Sequence, residues 1–217
     1  MEVVKSWFPI AIRVAIKFSI CVVLVLAQSL AVASSPGELA RMALQERLAL
    51  LDNVIADFEQ QMINAQGYLT ESSKGTLYLA KPKFRWEVFA PFPQIIIADN
   101  ERIEIYDPDL EQVTQRTLSD ALHEAPLALL TQSDLRLEGY FSVYANGETF
   151  VLLPNSDEAL FDRLEITFVD DQLSALDIHD HTGQQTLIRF SNYRAQQVLQ
   201  SDLFELDYPD GTDFVRG

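Results

Sequence analysis

The residues of greatest chemical reach in this chain lie in two short stretches. Asp177, His179, Asp180 and His181 offer imidazole nitrogens and carboxylate oxygens, the donors a zinc ion takes. On a strand, His179 and His181 would share one face. They run into Thr182-Gly183, however, and a solvated hairpin end accounts for the same residues, so no metal is expected. Asp107, Asp109 and Glu111 alternate around Pro108 and could suggest acid–base work. Turn and capping acids explain them better. His123 is expected to face solvent. The chain contains no G-x-S-x-G nucleophile elbow, no P-loop and no H-E-x-x-H pair. No nucleophile stands beside a base. The residues therefore give little support to catalytic chemistry.

The elements around these residues begin with an unusual N-terminus. Lys5, Arg13 and Lys17 precede an apolar core, Ile20 to Leu26, and Ala31-Val32-Ala33 supplies the small residues a signal peptidase reads. The unbroken apolar run Phe18 to Ala27 spans ten residues, against the roughly 20 of a membrane-spanning helix. We expect a secretory signal, 1–33, removed after Ala33, and a single domain, 34–217. Cys21 is the only cysteine and would leave with the signal. Ile20 fits poorly before a lipidated cysteine. The domain would then enter an oxidising compartment without a thiol, so its core must suffice without disulfides. The net charge of −16 repels nucleic acid and anionic membrane surfaces; plain solubility explains it equally well.

Pro36 to Leu51 reads as an amphipathic helix. Ser35 can cap it, Pro36 suits its first position and Glu38 its first turn. Leu39, Met42, Ala43 and Leu50 recur near helical spacing, widened by Leu44, Leu48 and Leu51. Nearly everything afterwards alternates with period two. Val54, Ala56 and Phe58 share a parity, as do Leu77 and Leu79, and Phe84, Trp86 and Val88. Ile95 and Ile97 are followed by Ile103 and Ile105 across a turn at Asp99-Asn100. Tyr140 to Tyr144, Phe150 to Leu153, Leu164 to Phe168, Leu173 to Ile178 and Thr186 to Phe190 continue the pattern. Asn146-Gly147, Asp170-Asp171 and Thr182-Gly183 read as hairpin turns. Roughly ten antiparallel strands in one domain imply a strongly curved sheet or a barrel. Thr117 to Thr131 breaks the pattern with helical character, divided at Pro126. It sits where a lid over a barrel mouth would be inserted, although core helices could look the same.

The ordered pieces resemble the periplasmic lipoprotein carrier family, LolA. They are Arg47-Leu48, Phe58-Glu59-Gln60, Gly75-Thr76-Leu77-Tyr78-Leu79, Lys81-Pro82, Phe84-Arg85-Trp86, Pro91 and Ile96-Ile97-Ala98-Asp99. The run Tyr106-Asp107-Pro108-Asp109-Leu110-Glu111-Gln112-Val113 is the most specific. Phe150-Val151-Leu152-Leu153-Pro154, Phe204-Glu205-Leu206 and Pro209-Asp210-Gly211 complete the set, which spans nearly all of 34–217.

The resemblance implies a mainly β fold: an incomplete, unclosed antiparallel β-barrel with an N-terminal helix and a short helical lid over a hydrophobic cavity. It implies a monomeric periplasmic chaperone for acylated lipoproteins, not an enzyme, with no catalytic residue and no cofactor. Cargo would come from an inner-membrane ABC-type lipoprotein-releasing transporter and pass to an outer-membrane lipoprotein receptor. Candidate cavity residues are Phe84, Trp86, Ile95, Ile97, Ile103, Ile105, Leu118, Leu122, Leu127 and Leu130. For any one of them, packed core is the competing role. The family often has Arg before the conserved Pro, associated with lid contacts and cargo release. Here Lys81 stands there, a point donor without the planar fork of Arg, expected to reach lid carbonyls. The segment between Lys81-Pro82 and Phe84 is one residue shorter than in well-known members. The competing readings are a related lipid-binding or outer-membrane receptor module on the same scaffold, against which the missing lipidated cysteine argues, and an enzyme acting on lipids or cell-wall material, which lacks a nucleophile.

Overall fold

Ser35 and Pro36 begin the first element as capping chemistry demands. In the computed structural model, which describes residues 35–99, 101–117, 129–130, 137, 139–157, 159–195 and 198–216, the Ser35 hydroxyl accepts a hydrogen bond from the Glu38 amide at 3.2 Å. Helix α1 (Pro36–Leu50) follows. Its buried stripe is Ala40, Leu44 and Leu48, continued by Leu51. This differs from the stripe read at Leu39, Met42 and Leu50, which are exposed. Spacings of four, four and three fit the i, i+4 geometry of one face. Leu39, Met42 and Leu50 fall on other faces.

Twelve described strands follow in one sheet. They are β1 (Val54–Ile63), β2 (Leu69–Ala80), β3 (Lys83–Ala90), β4 (Gln94–Ala98), β5 (Arg102–Asp107), β6 (Gln112–Thr117), β7 (Phe141–Asn146), β8 (Thr149–Pro154), β9 (Phe161–Val169), β10 (Gln172–Asp180), β11 (Gln185–Ala195) and β12 (Asp213–Arg216). Their order across the sheet is β12-β6-β5-β4-β3-β2-β1-β11-β10-β9-β8-β7. The outermost strands, β12 and β7, do not pair with each other, so the sheet is unclosed. Every pairing is antiparallel except β12 with β6, which is parallel. Irregular register in β1 between Ile55 and Asp57, and in β10 between Leu173 and Ala175, bends the strands.

The turns obey local chemistry. Asp170 and Asp171 both take positive φ, 50° and 62°, the backbone of a two-residue I′ hairpin. The Asn64 side-chain oxygen accepts from the Gln66 and Tyr68 amides at 3.1 and 3.0 Å and closes β1 onto β2. At Asp107 the acid is a turn residue: its Oδ1 accepts from the Asp109 and Leu110 amides, both at 3.1 Å.

Alternation places Val54, Ala56 and Phe58 of β1, with Leu77 and Leu79 of β2, on one face, the inner one. There they join α1 in the main core. The helical character read at Thr117 to Thr131 lies largely outside the described residues, as does the segment 1–33. Leu129 and Leu130 are described, and both are buried in that core.

Candidate functional site: the inner face of the sheet

The inner face is built around Trp86. Its ring stacks on Phe58, with centroids 3.6 Å apart and planes 19° apart. Phe84 lies 6.3 Å away on the same strand, and Phe190 of β11 meets Trp86 edge-on at 6.1 Å. Gly75 makes this stack possible. A Cβ there would collide with the Phe58 ring and the Glu87 carbonyl oxygen. The Gly in the Gly75-Thr76-Leu77 run is therefore a packing requirement.

Pairing register decides which isoleucines join Trp86. Phe84 pairs with Ala98 and Trp86 with Ile96. Ile96 in turn pairs with Ile105, and Ala98 with Ile103. Paired residues share a face, so Phe84, Trp86, Ile103 and Ile105 are inner, as expected. Phe84, Trp86 and Ile103 are buried, and Ile105 is half-buried. Leu130 is buried in the same core. Leu118, Leu122 and Leu127 lie outside the described residues.

Ile95 and Ile97 are corrected by this register. They point to the opposite, outer face, where Ile97 packs with Leu199 and Phe204 and Ile95 borders the same cluster. Ile96 takes the inner position instead. An unbroken Ile95-Ile96-Ile97 run has no internal parity signal, because a strand apolar on both faces reads the same from either register. Only the pairing through the Pro91–Pro93 turn settles it. The outer cluster is covered by the C-terminal segment, a 3-10 turn at Ser201–Phe204 that leads on to β12. Arg85 Nη1 donates to the Leu203 carbonyl at 3.2 Å. The Tyr208 hydroxyl donates to Glu104 Oε2 at 2.7 Å. Burial and this bond to a carboxylate push the Tyr208 phenol well above its ordinary pKa.

Lys81 reaches the end of the helix, and the lid carbonyls it is expected to meet lie largely outside the described residues. Its Nζ donates to the Leu48 carbonyl, in the last turn of α1, and its amide donates to Asp52 Oδ1 at 2.9 Å. A cation at a helix C-terminus faces the negative end of the helix dipole. Burial lowers the Lys81 pKa below the usual lysine value, and Asp52 partly opposes that shift. Arg47 holds the same turn from the other side. It pairs with Asp171 at 2.6 Å and with Glu148 at 3.2 Å, and its guanidinium lies 5.8 Å from the Phe168 ring centre. An apolar crevice is lined by Leu51, Val54, Ala56, Leu77, Leu79, Leu173, Phe190 and Tyr193 and has no room for a water molecule.

The histidine cluster does not converge. His181 lies in the turn after β10, not on the strand with His179. Its Nδ1 contacts Asp162, and its Nε2 lies 2.6 Å from the Ala159 carbonyl. His179 pairs with Asp177 at 3.2 Å. Among the described residues, no three His, Cys, Asp or Glu side chains are grouped to hold a metal ion.

An unclosed, mainly antiparallel sheet with an N-terminal helix in its inner apolar core defines the class of fold. The fold is similar to a crystal structure of a LolA superfamily protein from Nitrosomonas europaea, with a TM-score of 0.50 at 8% identity over 80% of this chain and 99% of that one. The sequence carries the assignment further. Residues 50–207 match the family model described as outer membrane lipoprotein carrier protein LolA. The chain is 35% identical to the outer-membrane lipoprotein carrier protein of Chromohalobacter salexigens, over 93% of this chain and 98% of that protein. It is 32% identical to that of Azotobacter vinelandii, over 88% and 96%. The chain belongs to the LolA family of outer-membrane lipoprotein carrier proteins.

Proposed function

We propose that this protein is a periplasmic chaperone that binds the acyl chains of lipoproteins released from the inner membrane and delivers them to an outer-membrane receptor. The observation that carries the reading is the continuous apolar inner face of an unclosed sheet, centred on Trp86, in a chain of this family. Burying a CH₂ group is worth about 0.8 kcal/mol, so one chain of ~15 methylenes exposed to water is unfavourable by about 12 kcal/mol. A multiply acylated cargo cannot cross an aqueous gap unaided. An apolar sheet face removes most of that penalty, and binding alone, without bond chemistry, achieves the task.

The other parts of the reading follow. Segment 1–33 directs export and is removed after Ala33, leaving one domain at 34–217. The carrier acts as a monomer between an ABC-type releasing transporter and a lipoprotein receptor. Its acidity supports this, because a shuttle between two anionic membrane surfaces should adhere to neither. The acyl chains rest on Phe84, Trp86, Ile103 and Ile105, with Ile96 added and Ile95 and Ile97 set aside. Leu118, Leu122, Leu127 and Leu130 belong to a lid that must move to admit them. Native mass spectrometry of the carrier isolated from the periplasm tests this. A bound acylated lipoprotein, removed by detergent, is the expected result; a carrier free of lipoprotein under all growth conditions would overturn the reading.

A further inference from the structure

The inner face changes character along its strands. Near α1 it is apolar throughout. Toward the β1–β2 and β3–β4 hairpins, the same parity passes from Phe58 to Gln60 in β1 and from Gly75 to Ser73 in β2, and Gln60 and Ser73 are directly paired. In β4 it passes from Ile96 to Gln94, which pairs with Val88. These residues line a cavity of about 240 Å³ whose floor is Trp86, Val88 and Ile96. At roughly 30 Å³ per water, it could hold about eight waters or a small polar group of the same bulk.

The polar residues there are not used by the fold. Ser73 is only 3% exposed, and its side chain makes no hydrogen bond among the described residues. The same is true of Gln60 and Gln94. Ser73 and the two half-buried amides line one open cavity with no partner for their side chains among the described residues, and this convergence of free hydrogen-bonding groups points to a ligand. No lysine or arginine lines the cavity, and Glu71 and Asp107 are among its lining residues. A phosphate would meet carboxylates and no cation. A neutral group that both donates and accepts hydrogen bonds would be satisfied.

We propose that Gln60, Ser73 and Gln94 seat the neutral ester and amide linkage at which a lipid's acyl chains join its head, while the chains lie on the Trp86 face. The inference rests on the carrier reading and adds what part of the cargo is recognised. It makes the protein selective for the neutral linkage over an anionic phosphate head on the same chain.

The test uses three probes on the carrier isolated from the periplasm. Diphenylhexatriene is a pure hydrocarbon fluorophore. Oleoylglycerol carries a neutral glycerol ester, and oleoylglycerol 3-phosphate adds the anionic head. The wild type should bind diphenylhexatriene saturably and release it to oleoylglycerol at concentrations about tenfold lower than to the phosphate. Ser73→Ala, which removes one oxygen, should weaken oleoylglycerol about threefold to tenfold, the range of one lost hydrogen bond. Diphenylhexatriene binding should be unchanged. Adding Gln60→Met and Gln94→Met should erase the preference between the two glycerides. If Ser73→Ala binds oleoylglycerol as the wild type does, the polar seat is wrong and the carrier reading stands. If the wild type binds no diphenylhexatriene, both fall.

Discussion

The two faces of the β3–β4 hairpin are both apolar and both covered, yet their covers are held differently. The outer face, with Ile95 and Ile97, lies under the C-terminal segment, which is fastened by directional bonds. Arg85 donates to the Leu203 carbonyl, the Leu199 amide to Asn53 Oδ1, and the Tyr208 hydroxyl to Glu104, and β12 adds to the sheet beside β6. The inner face, with Trp86, belongs to the core cluster that also holds Ala40, Leu44 and Leu48 of α1, with Ile96 packed against it. Polar ties of the helix include those of its last turn, at Arg47 and Leu48. Apolar contact is non-directional, so methyl groups of the helix and methylenes of a ligand are interchangeable partners. Hydrogen bonds are not replaced by an acyl chain. On the proposed function, the inner face is the one expected to exchange its cover.

Trp86→Ala against Phe204→Ala separates the faces most strongly. Removing the Trp86 ring takes away the stacking partner of Phe58 and should lower stability by about 3–5 kcal/mol and abolish hydrocarbon-probe binding. Phe204 is 7% exposed and its site is partly open. Its loss should lower stability by about 2 kcal/mol, below the usual range for a sealed ring, with probe binding intact. Urea titration and fluorescence read both. Equal loss of binding in the two variants would break the comparison.

Leu48→Ala acts on the exchangeable cover itself. Leu48 is 1% exposed, so stability should fall by about 2–4 kcal/mol. Hydrocarbon uptake should become faster at the same time, because the helix competes less well for the inner face. Stopped-flow probe binding measures the rate, and a slower uptake would show that α1 is fixed core.

Much of this arrangement was legible in the sequence, for identifiable reasons. Strict alternation at Val54, Ala56, Phe58 and at Phe84, Trp86 gave the inner parity directly. The Ser35-Pro36 start and the Asp170-Asp171 turn follow from local backbone chemistry. The Ile95–Ile97 run did not reveal its register, because it is apolar on both sides. Strand β12 was missed: four exposed residues, Asp213–Arg216, pair in parallel with a strand a hundred positions earlier, and nothing local encodes that. Gln60, Ser73 and Gln94 look like ordinary surface residues until pairing puts them on the inner face. The Lys81 bond to the Leu48 carbonyl was not foreseen for a similar reason, since Leu48 is distant in the chain.

Lys81 gives a smaller effect with a defined sign. Its folded pKa lies below the ordinary lysine value of 10.5 because burial opposes the charge. Between the folded and unfolded values, the unfolded chain holds the proton and the folded one has released it. Stability from this group therefore rises with pH through that window. Lys81→Met should cost about 1 kcal/mol through the lost bond to the Leu48 carbonyl. It should also remove this part of the rise in urea-derived stability between neutral pH and 10.5. An unaltered profile would deny the burial. The smallest effect is at His181. The Ala159 carbonyl contact and Asp162 raise its pKa above 6.5, so its contribution is full below 6.5 and is lost as pH rises through the folded value. NMR titration should show the raised value, lowered in Asp162→Asn; a value at or below 6.5 would contradict the placement of the turn.

The most direct measurement uses two neighbouring residues that face opposite ways. A photoactivatable benzoylphenylalanine is placed at Ile96 in one carrier and at Ile97 in another, and both are irradiated in the periplasm. The account predicts a lipoprotein crosslink from position 96, lost when cargo release from the inner membrane is blocked, and none from position 97. A crosslink of equal or greater strength from position 97 would mean that cargo lies on the outer face, and that the inner apolar face is not the binding site.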